Sequence, residues 1–146
     1  MTTLDEFASK FRLDALTVVT TDHWTWSVLP IQVTLGAGVL SLNRLCPTFG
    51  EMTPAEGADL TTVVGLFEDR LRKVFDVDGF NYLTYMLADA HVHTMAVPRY
   101  GGPRTYTGET WEDGQWPGPA SMGAAAHRLS MKQLVALRDR LALSDG

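Results

Sequence analysis

Leu4, Phe7, Ala8 and Phe11 recur at three- and four-residue spacing, which predicts a short amphipathic helix between Thr3 and Arg12, lying on the core. Leu16 to Thr20 and Trp24 to Leu29 are dominated by β-branched and aromatic residues, with Thr21-Asp22-His23 between them as turn residues. That pattern predicts a hairpin. After Pro30, the run Val39-Leu40-Ser41-Leu42 follows Gly36-Ala37-Gly38 and reads as a third strand entered through a bend. Thr53-Pro54-Ala55-Glu56 is a helix start, because Thr53 can cap, Pro54 suits the first helical position and Glu56 can reach back. Leu60, Val63, Val64, Phe67, Leu71, Val74 and Phe75 continue on one stripe, so the helix should run to about Phe75. Asp76 to Gly79 breaks it. Phe80 to Leu87 and Val92 to Val97 then read as two long strands, with Pro98 and Arg99 ending the second. The stretch from Tyr100 to Pro119 holds so many glycines and prolines that a long loop over 100–120 is expected there. Ser130-Met131-Lys132-Gln133 can form a second capping box, opening a last helix over 130–143 with Leu134, Leu137 and Leu141 on one side.

Strands, one long helix, two more strands and a C-terminal helix make an α+β chain with an antiparallel sheet of about five strands. The 146 residues suit a single domain spanning 1–146, and 45% hydrophobic with 20% charged residues is an ordinary globular composition. Charge narrows the partners. Seventeen acidic against 12 basic side chains leave a net charge of -5, so no broad basic face is expected for a nucleic acid or an anionic membrane. Any phosphorylated ligand must be held locally. The lone Cys46 has no internal partner and the start of the chain lacks the marks of a signal peptide, so a cytoplasmic protein is expected, and Cys46 reads as a buried thiol. No apolar run is long enough to span a bilayer.

The chemistry concentrates at His91-Val92-His93-Thr94-Met95. Alternation along a strand would put His91, His93 and Met95 on one face and Val92, Thr94 and Ala96 on the other. Such a pair serves as hydrogen-bonded structural histidines, in nucleophilic or acid-base work, or as metal ligands. The metal reading lacks further ligands, since Ala96 and Val97 stand where a nearby glutamate would be and His23 and His127 are remote in sequence. No metal or other cofactor is expected. Elsewhere, Asn81 could meet a ribose or phosphate, and the planar guanidinium of Arg99 or Arg104 could meet phosphate.

The run from Asn81 to Tyr100, with His91-Val92-His93-Thr94-Met95-Ala96-Val97-Pro98-Arg99, resembles the signature strand of the histidine-triad superfamily, three histidines at alternate positions followed by apolar residues and often Pro-Arg. Leu35 to Arg44 and the helix after Thr53 also resemble that family's order, and the loop ending in Trp116-Pro117-Gly118-Pro119 resembles its bacterial diadenosine polyphosphate hydrolase-like branch. The resemblance covers roughly residues 16 to 120. It implies the histidine-triad fold and an enzyme in which the middle histidine, His93 here, attacks the α-phosphorus of a nucleotide. His91 would orient that nucleophile, and Asn81, Met95 and Arg99 would line the substrate site. It implies a purine nucleotide or other small phosphorylated ligand and a homodimer with sheets joined across the interface. Two positions depart from the pattern. Met95 replaces the third histidine and cannot donate a hydrogen bond, and Leu45 stands where a further histidine would follow the third strand. Hydrolysis or nucleotidyl transfer through His93 is one expectation, and a degenerate relative that binds nucleotide or runs another reaction is the alternative.

Overall fold

Five antiparallel strands make the main sheet of the computed structural model, which describes residues 2–123 and 127–143. They are β1 (Thr17–Thr20), β2 (Trp24–Val28), β3 (Gly38–Leu42), β4 (Gly79–Leu83) and β5 (His93–Arg99), in spatial order β1-β2-β3-β5-β4. The α+β class follows, with helices α1 (Leu4–Lys10), α2 (Leu13–Leu16), α3 (Pro54–Phe75) and α4 (Met131–Ala142). Among the described residues no helix is long and apolar enough to cross a membrane.

Local chemistry explains why the helices begin where they do. Thr53 accepts from the Glu56 amide and the Glu56 carboxylate accepts from the Thr53 amide, so α3 opens on a complete capping box. Ser130 and Gln133 repeat the device at α4. Asp76 ends α3 in the left-handed conformation. The larger core cluster lies between α3, α4 and one face of the sheet, where Trp24, Trp26, Leu40, Leu42 and Ala96 meet Val63, Phe67, Leu71 and Leu137. Phe67 meets Trp26 edge-on at 5.3 Å between centroids. Gly36 is favoured by its backbone: at φ +87 any side chain is strained, and a Cβ would also displace a Leu71 methyl 2.3 Å away.

Three boundaries differ from the sequence expectation. β4 stops at Leu83 rather than Leu87, and residues 84–87 lie outside any strand. β5 contains Pro98 and Arg99 instead of ending at them. Its ladder with β3 runs only from Ser41↔His93 to Gly38↔Ala96, so Pro98 faces β4 alone, and its missing amide costs no bond on the other side. The stretch after Tyr100 is not all loop: β6 (Arg104–Tyr106) and β7 (Glu109–Trp111) form a separate hairpin. Thr107 and Gly108, at φ 51 and 79, supply the two left-handed residues that a tight hairpin turn needs. Gly108, one of the glycines that read as loop, is turn chemistry.

Candidate functional site

The second face of the sheet carries the odd-numbered residues of β3 and β5, as the register Val39↔Met95 and Ser41↔His93 requires. A smaller apolar cluster covers it, built from Phe7, Phe11, Leu29, Ala37 and Val39 with Met95 and Met122 packed against it. His93 opens β5 on this face and is 1% exposed. Its Nδ1 lies 2.5 Å from the carbonyl oxygen of His91. A carbonyl can only accept, so Nδ1 carries the proton and the neutral ring keeps its lone pair on Nε2. No described residue hydrogen-bonds Nε2. Burial lowers the His93 pKa from its ordinary value, against the opposing pull of that hydrogen bond, so the ring is neutral near pH 7.

His91 lies outside the strand that carries His93, although both rings meet Phe7, at 4.8 and 5.0 Å. It precedes β5 in a bend, where Val92 bonds to Cys46 and Leu42 through its backbone. The His91 ring is fully buried and both nitrogens are engaged: Nδ1 accepts from the Cys46 amide at 3.2 Å and Nε2 donates to the Leu42 carbonyl at 2.9 Å. Burial lowers its pKa as well. This ring fixes the backbone whose carbonyl holds His93, a task that strand alternation alone could not reveal.

Asn81 and Arg99 come together, in a network of their own. The Arg99 guanidinium reaches Asp113 at 2.6 and 3.1 Å, Asn81 Oδ1 at 2.5 Å and the Gly118 carbonyl at 2.7 Å, with Arg99 and Asp113 side chains each 4% exposed. Burial would raise the Asp113 carboxyl, but Arg99 and the amides of Tyr100 and Gln115 hold it below the usual range. Arg99 therefore pins the segment after β7 to the sheet. Beside it lies a cavity of about 520 Å³ lined by Val33, Thr34, Val97, Glu112 and His127 among others. Its only lysine or arginine among the described lining residues is Arg99, already paired, which leaves no free fixed cation for a phosphate. Arg104 is likewise spent, on the Phe75 and Asp76 carbonyls and on Asp78.

Met95 packs against the smaller apolar cluster. Leu45 is exposed beside Arg44, whose guanidinium grips Glu56 at 2.7 Å through two nitrogens and holds that carboxyl down at about 2. Among the described residues no three or more His, Cys, Asp or Glu side chains gather as a metal site. Cys46 is buried, and Trp24, Trp26 and Trp111 are core, while Trp116 is exposed.

Sequence reasoning missed four contributors here. Phe7 and Phe11 read as ordinary core, yet their rings lie 5.0 and 5.8 Å from the His93 ring. Ser41 lies directly across from His93 at 2% exposure, a pairing that only the register reveals. Nothing local to Asp113 marks it out in the sequence. Its partner is 14 residues away, a separation that no local pattern encodes.

No family model matches the chain, and no curated protein matches it. Solved structures do. A histidine triad protein from Sinorhizobium meliloti superposes with a TM-score of 0.72 at 20% identity, covering 97% of this chain and 95% of that one. A diadenosine triphosphate hydrolase from Plasmodium falciparum gives 0.64 at 12% identity, covering 88% and 74%. The C. elegans NitFhit protein gives 0.65 at 20% identity over 88% of this chain, which spans 27% of the length of that protein. At these identities the likeness is one of fold, and the fold is that of histidine triad proteins.

Proposed function

We propose that the chain is a nucleotide-binding enzyme of the histidine-triad type, acting on a nucleoside phosphate or dinucleoside polyphosphate through a nucleotidyl-His93 intermediate. One observation carries the reading: the 2.5 Å bond from His93 Nδ1 to the His91 carbonyl, which leaves Nε2 as an unpaired lone pair on a neutral ring. Nε2 attacks the α-phosphorus, the bond from phosphorus to the leaving oxygen breaks, and water or another acceptor then cleaves the phosphorus–nitrogen bond. His91 is a positioning residue in this scheme. The ligand is a purine nucleotide or other small phosphorylated molecule, no metal or cofactor takes part, and two chains pair as a homodimer in the cytoplasm. Asn81 and Arg99 shape the site by holding the segment at Asp113 rather than by touching the ligand.

Met95 and Leu45 favour a second reading, a relative that binds nucleotide or runs another reaction without cleaving phosphoanhydrides. Losing one donor aimed at developing phosphoryl charge costs about 2.7 to 4 kcal/mol. His93→Ala separates the two readings. If His93 is the nucleophile, turnover disappears while nucleotide affinity by titration calorimetry stays within a few fold, and His91→Ala keeps residual activity. Full turnover by His93→Ala excludes the covalent route.

A further inference from the structure

A nucleophile needs room for a substrate, and His93, at 1% exposure, has one short N-terminal element packed against its ring. α1 lays Phe7 against both histidine rings, at 4.8 Å from His91 and 5.0 Å from His93, and Phe11 stacks at 4.6 Å on Phe7. Phe7 and Phe11 are 1% and 6% exposed. Two polar ties hold the helix down beside the site. Lys10 Nζ contacts both Asp89 oxygens at 2.7 and 2.8 Å, and the Ala90 amide donates to the Thr2 hydroxyl at 3.2 Å. Both ties end on the two residues that immediately precede His91. At its other end α1 is joined to α2 through Arg12, which sits at φ 54 between the helices.

The geometry points to α1 as a lid over His93, latched by Lys10 and Asp89 and hinged at Arg12, that closes the site in the resting protein and must lift before any ligand reaches Nε2. A helix of seven residues has no stability by itself, so α1 is ordered by the contacts its two rings make and opens by local unfolding. Lifting it uncovers Leu29, Ala37 and Val39 beside Met95 and His93, an apolar floor on which a flat aromatic ring can take the place of Phe7 and Phe11. Lid and ligand then compete for one surface. The apparent affinity for such a ligand is the intrinsic one reduced by the open fraction.

Carbethoxylation by diethyl pyrocarbonate reads the lid directly, because the reagent acylates an accessible neutral imidazole nitrogen and peptide mass spectrometry assigns each histidine. It needs no substrate, so its outcome stands apart from whether nucleotides are turned over. In the unaltered protein His93 should react at least tenfold more slowly than His127, whose side chain is 36% exposed. Phe7→Ala should raise the His93 rate tenfold or more. His91 should stay unreactive in that variant, since both its nitrogens remain bonded to Leu42 and Cys46. Lys10→Glu, a milder change at the surface, should raise the His93 rate several fold, and Lys10→Glu/Asp89→Lys should bring it back to within twofold of the original. The lid is overturned if His93 reacts as fast as His127 in the unaltered protein. It is also overturned if His91 becomes reactive together with His93, which would mean general unfolding, or if the charge swap fails to restore protection.

Discussion

Asp113→Ala removes the carboxylate from one of the most enclosed ion pairs in the molecule, and its consequence can be worked out from the contacts. Arg99 and Asp113 are each 4% exposed, and two parallel hydrogen bonds of 2.6 and 3.1 Å join them. Without the carboxylate, the guanidinium keeps only the neutral oxygens of Asn81 and Gly118, and the amides of Tyr100 and Gln115 lose their shared acceptor. Breaking such a pair by removing one partner costs about 3 to 5 kcal/mol, a large share of the roughly 5 to 15 kcal/mol that holds a domain together. With a urea dependence of about 1 to 3 kcal/mol per M, the midpoint should fall by at least about 1 M. Tryptophan fluorescence follows it, since Trp24, Trp26 and Trp111 are buried. Arg99→Met/Asp113→Leu removes both charges and should cost less than Asp113→Ala alone, because most of the penalty is the stranded charge. A loss under about 1 kcal/mol for Asp113→Ala, or a double variant weaker than the single one, would refute the claim that this pair clamps the segment to the sheet.

Two further outcomes follow. Burial lowers the pKa of both His91 and His93, so below about 6.5 the unfolded chain binds protons that the native state refuses. Stability is complete above that pH and falls as pH drops through it, by at most about 1.4 kcal/mol per pH unit for each ring; urea midpoints at pH 7.5 and 5.5 measure this, and a flat profile contradicts the burial. The Glu56 carboxyl, held at about 2, gives stability that is complete above about 4.5 and is lost only as pH falls below it, so it does not blur that window. Met95→His returns a donor to the face that bears His93, so hydrolysis of a nucleoside phosphoramidate should rise tenfold or more, while no change would place the limit at Leu45 or at the lid.

Much of the fold was legible because its signals are local. Thr53, Pro54 and Glu56 announce α3 within four residues, and runs of β-branched, aromatic and other apolar residues place β2, β3 and β5. The hairpin of β6 and β7 was hidden among breakers, since Gly108 in a two-residue turn looks like Gly in a loop. At the site, His91 and His93 could be found, but their division of labour could not. It depends on a bend before β5 and on groups 45 and 49 residues away, at Cys46 and Leu42. The partners of Arg99 and the covering of His93 by Phe7 were out of reach for the same reason: each is a contact between distant segments that no periodicity records.

The central claim, that Nε2 of His93 forms a bond to phosphorus, is tested most directly by mass spectrometry of the intact chain and its peptides. The protein is incubated with a panel of nucleoside phosphates, phosphoramidates and dinucleoside polyphosphates and quenched without acid, because phosphorus–nitrogen bonds are acid-labile. A nucleotidyl mass added to the peptide containing His93, absent in His93→Ala and enriched in the Phe7→Ala variant with its lid weakened, is the result the account predicts. Turnover of any of these substrates with no adduct at His93, or an adduct that persists in His93→Ala, would contradict it.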